Sequence, residues 1–366
     1  MTHNAVSNKQ DVSADTVRGI LRRADNLDNA LFSVGIEILP YELVGVITES
    51  DGSIRALRRW PLPDMGVEIV VEHVTELVSY LVDSSLGLTV PNPRICVGVQ
   101  IGGPVDPATG IVRRYTNPPD DYGDRRPPYE WKDVPLVDLV QAATGCVTVL
   151  ENDAAAYAVY EQKLGWGQRT DSFALILIRD GVGGAVVLDN HLLPIPFEIG
   201  HIPISPSGRR CDCGKRGCLE SQAGRRAIRA MVAELINSEN VDRFEIAIEV
   251  ANRNDERGRA ALQVFQRAGR SIAQGIATVL ALFGPRHVVI YAPDALTGSG
   301  GGGAAADAFM TEVGRFRDHT FCVFERCEVV IESLSSSQRG AQGAALAALN
   351  RHFFVSLGSH RWEHGQ

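Results

Sequence analysis

Three cysteines and a histidine lie close together in the stretch EIGHIPISPSGRRCDCGKRGCLE. Cys211, Cys213 and Cys218 follow a C-x-C-x4-C spacing, and His201 precedes them. The glycines between the cysteines allow the tight backbone turns that bring three thiolates to one point. Three thiolates and one imidazole complete the tetrahedral ligand set of a structural zinc ion, in which no position is open for a substrate. The spacing therefore predicts structural Zn²⁺, and three buried free cysteines beside a surface histidine are the alternative.

Two glutamates flank this stretch, Glu198 on one side and Glu220 on the other. A metal-bound imidazole can still donate a hydrogen bond through its second ring nitrogen. Two carboxylates beside that N–H group would form a polar rim able to bind several hydroxyl groups. Such a rim is better suited to a sugar than to a flat aromatic ligand.

A second candidate site lies in VTVLENDAAAYAVYE, where a strand pattern ends at Asn152 and Asp153. Asp153 could act as the general base that takes a proton from a sugar hydroxyl, with Asn152 holding a neighbouring hydroxyl. The alternative is that one of these residues only caps the helix that follows, because Asn and Asp are favoured at helix N-termini. The residues alone leave both interpretations open.

Several motifs resemble those of the ROK family (repressors, open reading frames and kinases). They are EIGH and CDCGKRGCLE together with IGGPVDPATGIV, EWKDVPL, LENDAAA and RDGVGGAVVLD, and the resemblance extends over about residues 32–350. It implies a two-lobed actin-like ATPase (hexokinase-type) fold with a sugar in the cleft and assembly as a homodimer or homotetramer. By motif it assigns sugar contacts to Asn152, Asp153, Glu198, His201 and Glu220, with weaker matches at Gly103, Thr116 and Asn117.

One departure from the family pattern lies directly before Glu198. Family members usually carry G-x-x-G-x-A-G-E here, whereas this chain has DNHLLPIPFE, with Pro194 and Pro196 among the replacements. Proline has no backbone N–H to donate and glycine permits close backbone approach. We therefore expect a narrower pocket or a ligand other than the usual hexoses.

The nucleotide-binding motifs of the family are altered at three places. Where a D-x-G-G-T hairpin would hold Mg²⁺ and phosphate, this chain has Glu37 followed by Ile-Leu-Pro-Tyr, residues 38–41. Where a G-T-G turn would meet the phosphates, Asp180 replaces the threonine, whereas Gly181, Gly183 and Gly184 are retained and Arg179 could offset the added charge. Ala-Pro-Asp, residues 292–294, stands in place of the glycines under adenosine. Together the three changes predict that ATP use has been lost. ATP and Mg²⁺ would be cofactors only under the alternative that the protein is a kinase.

The elements that would position these residues alternate between strand and helix in two halves, each opening with hairpin-linked strands. This pattern predicts an α/β fold with two lobes and a cleft between them. We expect a tail and one short helix over residues 1–31, an N-terminal lobe over 32–145 completed by a helix at about 337–352, a C-terminal lobe over 146–336, and a tail over 353–366.

Composition narrows the class of protein. The chain has 366 residues and a formal net charge of −8, which argues against a surface that binds nucleic acid over a whole domain. No apolar run is long enough to span a membrane and residues 1–15 do not resemble a secretion signal. We therefore expect a cytoplasmic protein without a membrane partner.

Three functional hypotheses follow. The first is a sugar-binding protein of the transcriptional-regulator type with a degenerate ATP site. Residues 1–31 hold one helix pattern, too little for a helix-turn-helix, so DNA would be contacted only through a missing domain or a partner. The second is an ATP-dependent carbohydrate kinase, similar to glucokinases or N-acetylhexosamine kinases, with Asp153 as base. The third is an interaction module whose pocket is closed by the shortened loop.

Overall fold

The computed structural model of the chain describes residues 31–86, 90, 93–117, 129–237, 240–299, 303–318, 327–334 and 338–359, with the backbone alone at 117, 317–318 and 352–359. The helix predicted within residues 1–31 therefore lies almost entirely outside the described residues. No helix within the described ranges is both long and apolar enough to cross a membrane.

Thirteen strands in these ranges form two five-stranded sheets and one small sheet of three strands. Their order is β3-β2-β1-β4-β8 in the first sheet, β11-β10-β9-β12-β13 in the second and β5-β6-β7 in the small one. The strands are β1 Leu31–Leu39, β2 Glu42–Thr48, β3 Ile54–Pro61, β4 Arg94–Ile101, β5 Val105–Asp106, β6 Ile111–Asn117, β7 Tyr129–Val134, β8 Val147–Asn152, β9 Phe173–Ile178, β10 Val182–Leu188, β11 His191–Leu192, β12 His287–Ala292 and β13 Glu328–Ser333.

Helices connect and cover these sheets. They are α1 Val67–Ser85, α2 Leu136–Thr144, α3 Asp153–Leu164, α4 Glu220–Ala223, α5 Arg225–Leu235, α6 Phe244–Ala251, α7 Glu256–Phe283, α8 Asp294–Thr297, α9 Gly303–Val313 and α10 Arg339–Ser359, with short 3₁₀ segments at Trp166–Arg169, Ile199–His201 and Gly314–Asp318. Each large sheet opens with an antiparallel hairpin and continues with parallel strands. The predicted α/β class with two similar halves is thus observed.

The last helix packs on the first large sheet at very close range. A Cβ atom added to Gly35 would lie 1.8 Å from the carbonyl oxygen of Ala341, and one added to Gly98 would lie 1.9 Å from that of Ala344. Ser33 on β1 also donates a hydrogen bond of 2.8 Å to the carbonyl of Ala345. Glycine on the strands and alanine on the helix are therefore what allow α10 to cover this sheet.

The second large sheet has its own core. Alternate residues of β9 and β12, among them Ala174, Ile176 and Ile290, are fully buried against α5, α6 and α7. The opposite face, through Leu175 and Tyr291, packs against Tyr157 and Ala158 of α3. Helix α3 therefore lies between the two sheets, and its first residue is Asp153.

Two elements differ from the sequence-based expectation. The small sheet β5-β6-β7 was not predicted, because its strands are short and separated by Pro- and Gly-containing segments. The final helix, expected at about 337–352, spans Arg339–Ser359, so part of the predicted C-terminal tail continues the helix.

Candidate functional site

Asn152 and Asp153 lie where β8 ends and α3 begins, at the edge where the parallel strands of the first sheet terminate. The side-chain oxygen of Asn152 accepts a hydrogen bond of 2.9 Å from the backbone N–H of Ala154, so this residue caps the helix. Its amide nitrogen donates to the carbonyl of Gly103 at 2.9 Å. Asn152 therefore both caps α3 and fixes the loop after β4, while Asp153 Oδ1 also accepts from the Ala154 N–H at 2.8 Å and Oδ2 is not used in that bond.

Position 103 requires glycine. Its φ is +80°, and a Cβ atom would lie 2.5 Å from the carbonyl oxygen of Arg114. The loop after β4 can therefore lie against β6, the strand that carries Thr116. Thr116 is half-buried and pairs with Glu130 in the small sheet, while Asn117 is the last residue of the same strand and its side chain lies outside the described atoms.

The four candidate metal ligands lie close together, as their spacing predicts. One ligand atom from each of His201, Cys211, Cys213 and Cys218 lies within 4.8 Å of all the others. His201 Nδ1 is 3.5 Å from Cys211 Sγ, and the sulfur atoms of Cys213 and Cys218 are 3.6 Å apart. A tetrahedral ion with typical zinc bond lengths would give about 3.6 Å for the N–S pair and about 3.8 Å for the S–S pair. The four residues therefore fit one tetrahedral metal ion.

The loop that supplies the sulfur ligands is held mainly by backbone hydrogen bonds of its own turns and by two isolated bridges, Pro203–Cys218 and Arg210–Arg216. Residues 212–216 are all exposed, and Gly214 and Gly217 have φ values of +86° and +67°. Burial raises the pKa of the Cys211 thiol, and burial likewise raises that of Cys218. Without a cation these two thiols would stay protonated, so binding of a metal ion would release protons.

The flanking glutamates face the same histidine. Glu198 Oε2 lies 3.9 Å from His201 Nε2, and Glu220 Oε1 lies 3.9 Å from His201 Nδ1. Because Nδ1 is the nitrogen that points at Cys211, Nε2 is the one left to face Glu198. The 3₁₀ segment Ile199–His201 and the short helix that starts at Glu220 hold these groups in place.

The turn between β9 and β10 lies against this set of acids. A Cβ atom on Gly181 would be 2.2 Å from Glu220 Oε2, and one on Gly183 would be 3.7 Å from Asp153 Oδ1. The backbone N–H of Val182 donates to Glu220 Oε2 at 3.4 Å. The two glycines predicted for nucleotide binding therefore lie next to Glu220 and Asp153, between the metal cluster and α3.

The charged residues of this turn pair differently from the sequence-based expectation. Arg179 does not neutralise Asp180; Arg225 does, through hydrogen bonds of 3.1 and 2.8 Å from its Nε and Nη2 atoms. Arg179 instead reaches across to β1, where its Nη2 donates to Glu37 Oε1 at 2.5 Å and to the hydroxyl of Tyr157 at 3.0 Å. Sequence reasoning noted Arg179 and Glu37 separately and missed this pair.

The environment of Asp153 combines burial with several charges. Burial raises the pKa of its carboxyl group, Glu37 and Glu198 raise it further, and Arg179 opposes the shift. Burial also raises the pKa of Glu220, and His201 opposes that shift. Carboxylates that are partly desolvated and not yet fully paired are strong acceptors for hydroxyl hydrogens.

The turn between β1 and β2, where a phosphate hairpin was considered, is closed by its own side chains. Tyr41 has a φ of +63°, its N–H donates to the sulfur of Met65 at 3.1 Å, and its ring lies 6.5 Å from the ring of Tyr129 in an edge-on arrangement. Trp131 donates to the carbonyl of Met65 at 2.7 Å. The turn is therefore anchored to the small sheet. At the third altered position, Asp294 bonds to Ser333.

Two five-stranded sheets of related topology, a group of carboxylates around His201 and Asp153, and a Cys₃His cluster are the features expected of the sugar kinase-like class. The family model described as "ROK family" matches residues 33–351. This is most of the chain, and the protein belongs to the ROK family.

Both enzymes and regulators are among the relatives. The chain is 30% identical to a glucokinase of Thermotoga maritima over 68% of its own length and 77% of that protein, and 27% identical to the xylose repressor of Bacillus subtilis over 71% of its own length. It spans only 63% of the repressor's length. A ROK family transcriptional regulator homologous to the MLC protein of Escherichia coli has a similar fold, with a TM-score of 0.70, 21% identity and coverage of 94% of this chain and 86% of that one.

Proposed function

We propose that the protein is a zinc-stabilised sugar-binding member of the ROK family, of the transcriptional-regulator type, without nucleotide-dependent phosphoryl transfer. The observation that carries this proposal is the closed turn between β1 and β2. Phosphate binding needs free backbone N–H groups in such a turn. Here Pro40 has none, and the N–H of Tyr41 is used by Met65.

The proposed sugar contacts follow from the arrangement of the acids. Asp153, Glu198 and Glu220 would accept hydrogen bonds from sugar hydroxyls, and His201 Nε2–H would donate one while Nδ1 holds the metal ion. Thiolate and imidazole ligands in a tetrahedral cluster favour zinc over magnesium or calcium. The zinc ion would be structural, because all four positions are taken by protein atoms. Asn152, Gly103, Thr116 and Asn117 remain proposed contributors to the same pocket.

The proposed partners are a sugar and, through a segment or partner not seen here, DNA. Relatives named as repressors motivate the DNA part. A homodimer or homotetramer, the lobe boundaries at residues 32–145 and 146–336, and the cytoplasmic location stay predictions. Neither ATP nor Mg²⁺ belongs to this proposal.

A carbohydrate kinase is the second candidate, and one observation favours it. Asp153 lies at the start of α3, and no described residue forms an ion pair with it. Its Oδ2 lies 3.5 Å from the Cβ position of Gly102, where a substrate hydroxyl could approach it. In that case Asp153 would be the base, with Glu37, Gly181 and Gly183 on the nucleotide side. The pairing of Glu37 with Arg179 weighs against this candidate.

Two measurements on the zinc-loaded protein separate the candidates. Calorimetric titration with Mg-ATP is expected to give no heat of binding, whereas a panel of neutral monosaccharides is expected to include at least one saturable ligand. A coupled assay for ADP release with the same panel should show no sugar-dependent turnover. Turnover that Asp153→Asn abolishes would establish the kinase instead, and the absence of binding by every sugar would favour the interaction module.

A further inference from the structure

Two arginines lie opposite each other in the metal hairpin, the segment of residues 209–217 that carries two of the sulfur ligands. Arg210 and Arg216 form an isolated antiparallel bridge. On one side of this pair the N–H of Cys211 donates to the carbonyl of Lys215 at 2.8 Å, and a second backbone bond of 2.8 Å closes the other side. In such a non-hydrogen-bonded pair the Cα atoms are about 4.5 Å apart and both side chains stand on the same face.

The arginine pair stands on the outer face of the metal hairpin. Successive side chains of an extended segment point to opposite faces. Cys211, the neighbour of Arg210, turns its sulfur towards His201, whose Nδ1 is 3.5 Å away. Both arginine side chains therefore face away from the Cys₃His cluster, and both residues are exposed.

No carboxylate balances this pair among the described residues. Neither Arg210 nor Arg216 forms an ion pair there, whereas the adjacent Arg209 is bonded to Glu234 at 2.5 Å. The only acid between residues 205 and 218 is Asp212, which is exposed in the turn of the hairpin. Like charges directly opposite each other in an antiparallel pair are destabilising. The chain therefore keeps an unfavourable charge pair at two exposed positions, which indicates an anionic ligand that relieves the repulsion.

Two guanidinium groups on one face suit a phosphate monoester. Each guanidinium can donate two parallel N–H bonds to carboxylate or phosphate oxygens. A carboxylate has two oxygens and is satisfied by one such group, whereas a phosphate monoester carries about 1.5–2 negative charges at pH 7 and three acceptor oxygens, enough for two groups. The phosphodiester of a nucleic acid carries a single charge. A monoester is therefore the better match for this pair.

We propose that Arg210 and Arg216 form a binding site for a phosphate monoester on the outer face of the metal hairpin. The hydrogen bonds of the hairpin keep the two residues in register, and the metal ion behind them makes the hairpin rigid. The site rests on the proposed function only for that rigidity and does not depend on sugar binding. A phosphorylated sugar and a phosphorylated side chain of another protein present the same group, and the test distinguishes these two sources.

Calorimetric titrations of the full-length, zinc-loaded chain in phosphate-free buffer test the site. The probes are inorganic phosphate, glucose 6-phosphate and a phosphoserine peptide. Inorganic phosphate should bind once per chain, and tighter binding of one of the other two probes identifies the source. Binding of any probe that the arginine variants described next leave unchanged takes place elsewhere and counts against the proposal.

Arg210→Gln and Arg216→Gln should each weaken phosphate binding about tenfold or more, because each removes charge-assisted hydrogen bonds. Arg243→Gln is the matched control, since it removes the same charge from a side chain that is 71% exposed and whose carboxylate partner, Asp242, is 3.9 Å away. Phosphate affinity should be unchanged in this control. An equal loss of affinity in Arg243→Gln and Arg216→Gln would show that phosphate responds only to the overall charge.

Hydrogen exchange without phosphate gives a readout that a merely structural pair would not share. Arg216→Glu places opposite charges across the hairpin, so exchange at residues 209–217 should slow while phosphate binding is lost. A structural role for the arginine pair would instead give faster exchange in this variant. In the unchanged protein, phosphate itself should slow exchange in the same segment.

The proposal is overturned if millimolar phosphate does not bind, if the control loses as much affinity as Arg216→Gln, if exchange accelerates in Arg216→Glu, or if a DNA duplex binds while no monoester does. Phosphate binding by a protein that binds no sugar would refute the proposed function and leave this site intact. Sugar binding without phosphate binding would do the reverse.

Discussion

Replacement of Cys213 by serine should cause loss of the metal ion while the two large sheets stay folded. Cys213 is the exposed ligand of the cluster, whereas Cys211 and Cys218 are buried, so Cys213→Ser removes a thiolate with little loss of packing. The segment from Arg209 to Gly217 has five consecutive exposed residues, 212–216, and is held mainly by turn hydrogen bonds. Its order therefore depends on the metal ion more than on a hydrophobic core.

The magnitude follows from the length of that segment. Fixing the backbone of about nine residues costs about 1–2 kcal/mol per residue, which is about 9–18 kcal/mol. Structural zinc contributes about 10–16 kcal/mol in small zinc domains. The two amounts are similar, so loss of the metal should unfold this segment while the sheets, each with a core of its own, stay folded.

Three measurements on Cys213→Ser check this reasoning. Metal analysis should find less than one zinc per chain, hydrogen exchange should accelerate at residues 209–217 and not in β9 or β12, and sugar affinity should fall because His201 and Glu220 lose their support. Cys146→Ser is the control, since this half-buried cysteine packs against the core of the first large sheet and not against the cluster. One zinc per chain and unchanged exchange in Cys213→Ser would show that the ligand assignment is wrong.

Three other variants probe the site and the packing. Gly181→Ala should weaken sugar binding about tenfold or more in calorimetry, because its Cβ would lie 2.2 Å from Glu220 Oε2 and would displace that acceptor. Gly183→Ala is the control, because its Cβ would make ordinary contacts at 3.5 and 3.7 Å and should leave sugar affinity nearly unchanged. Equal losses of affinity in the two variants would contradict this reasoning. Gly98→Ala should lower the free energy of unfolding by at least about 2 kcal/mol in denaturant titrations, since its Cβ would meet Ala344 backbone at 1.9 Å, whereas Gly314→Ala, with nothing within 4 Å, should stay within about 0.5 kcal/mol. Asp153→Asn should have a higher thermal midpoint than the unchanged protein at pH 7. Because folding raises the pKa of Asp153, the folded protein loses stability as the pH rises from the unfolded pKa of this residue through its folded pKa, and Asn cannot ionise. The difference between the two midpoints should disappear below the unfolded pKa of about 4, and a difference independent of pH would refute this account.

Local signals in the sequence predicted the clustering of His201 with the three cysteines and most helices and strands. The four ligands are close in the chain and separated by glycines, so their spacing alone restricts the geometry. Helices such as α7 and hairpins such as β9–β10 carry long periodic patterns. The small sheet carries none, because β5 has two residues and β6 and β7 are separated by a proline-rich segment.

Long-range pairing accounts for what sequence reasoning missed at the site. Glu37 and Arg179 are separated by 142 residues, and no local pattern relates them. The contact of Tyr41 with Tyr129 also depends on where the small sheet packs. The available signal was a large or charged residue at positions where phosphate turns need small ones, which indicated lost nucleotide binding without indicating what fills the space.

The packing of α10 has a consequence for how the protein is made. Ser33 bonds to Ala345, 312 residues later, and the glycines of β1 and β4 are shaped to accept that helix. During synthesis, one face of the first sheet therefore stays uncovered until α10, Arg339–Ser359, has left the ribosome. The second sheet is complete slightly earlier, once β13 at Glu328–Ser333 has been made, so the half translated first is expected to finish folding last.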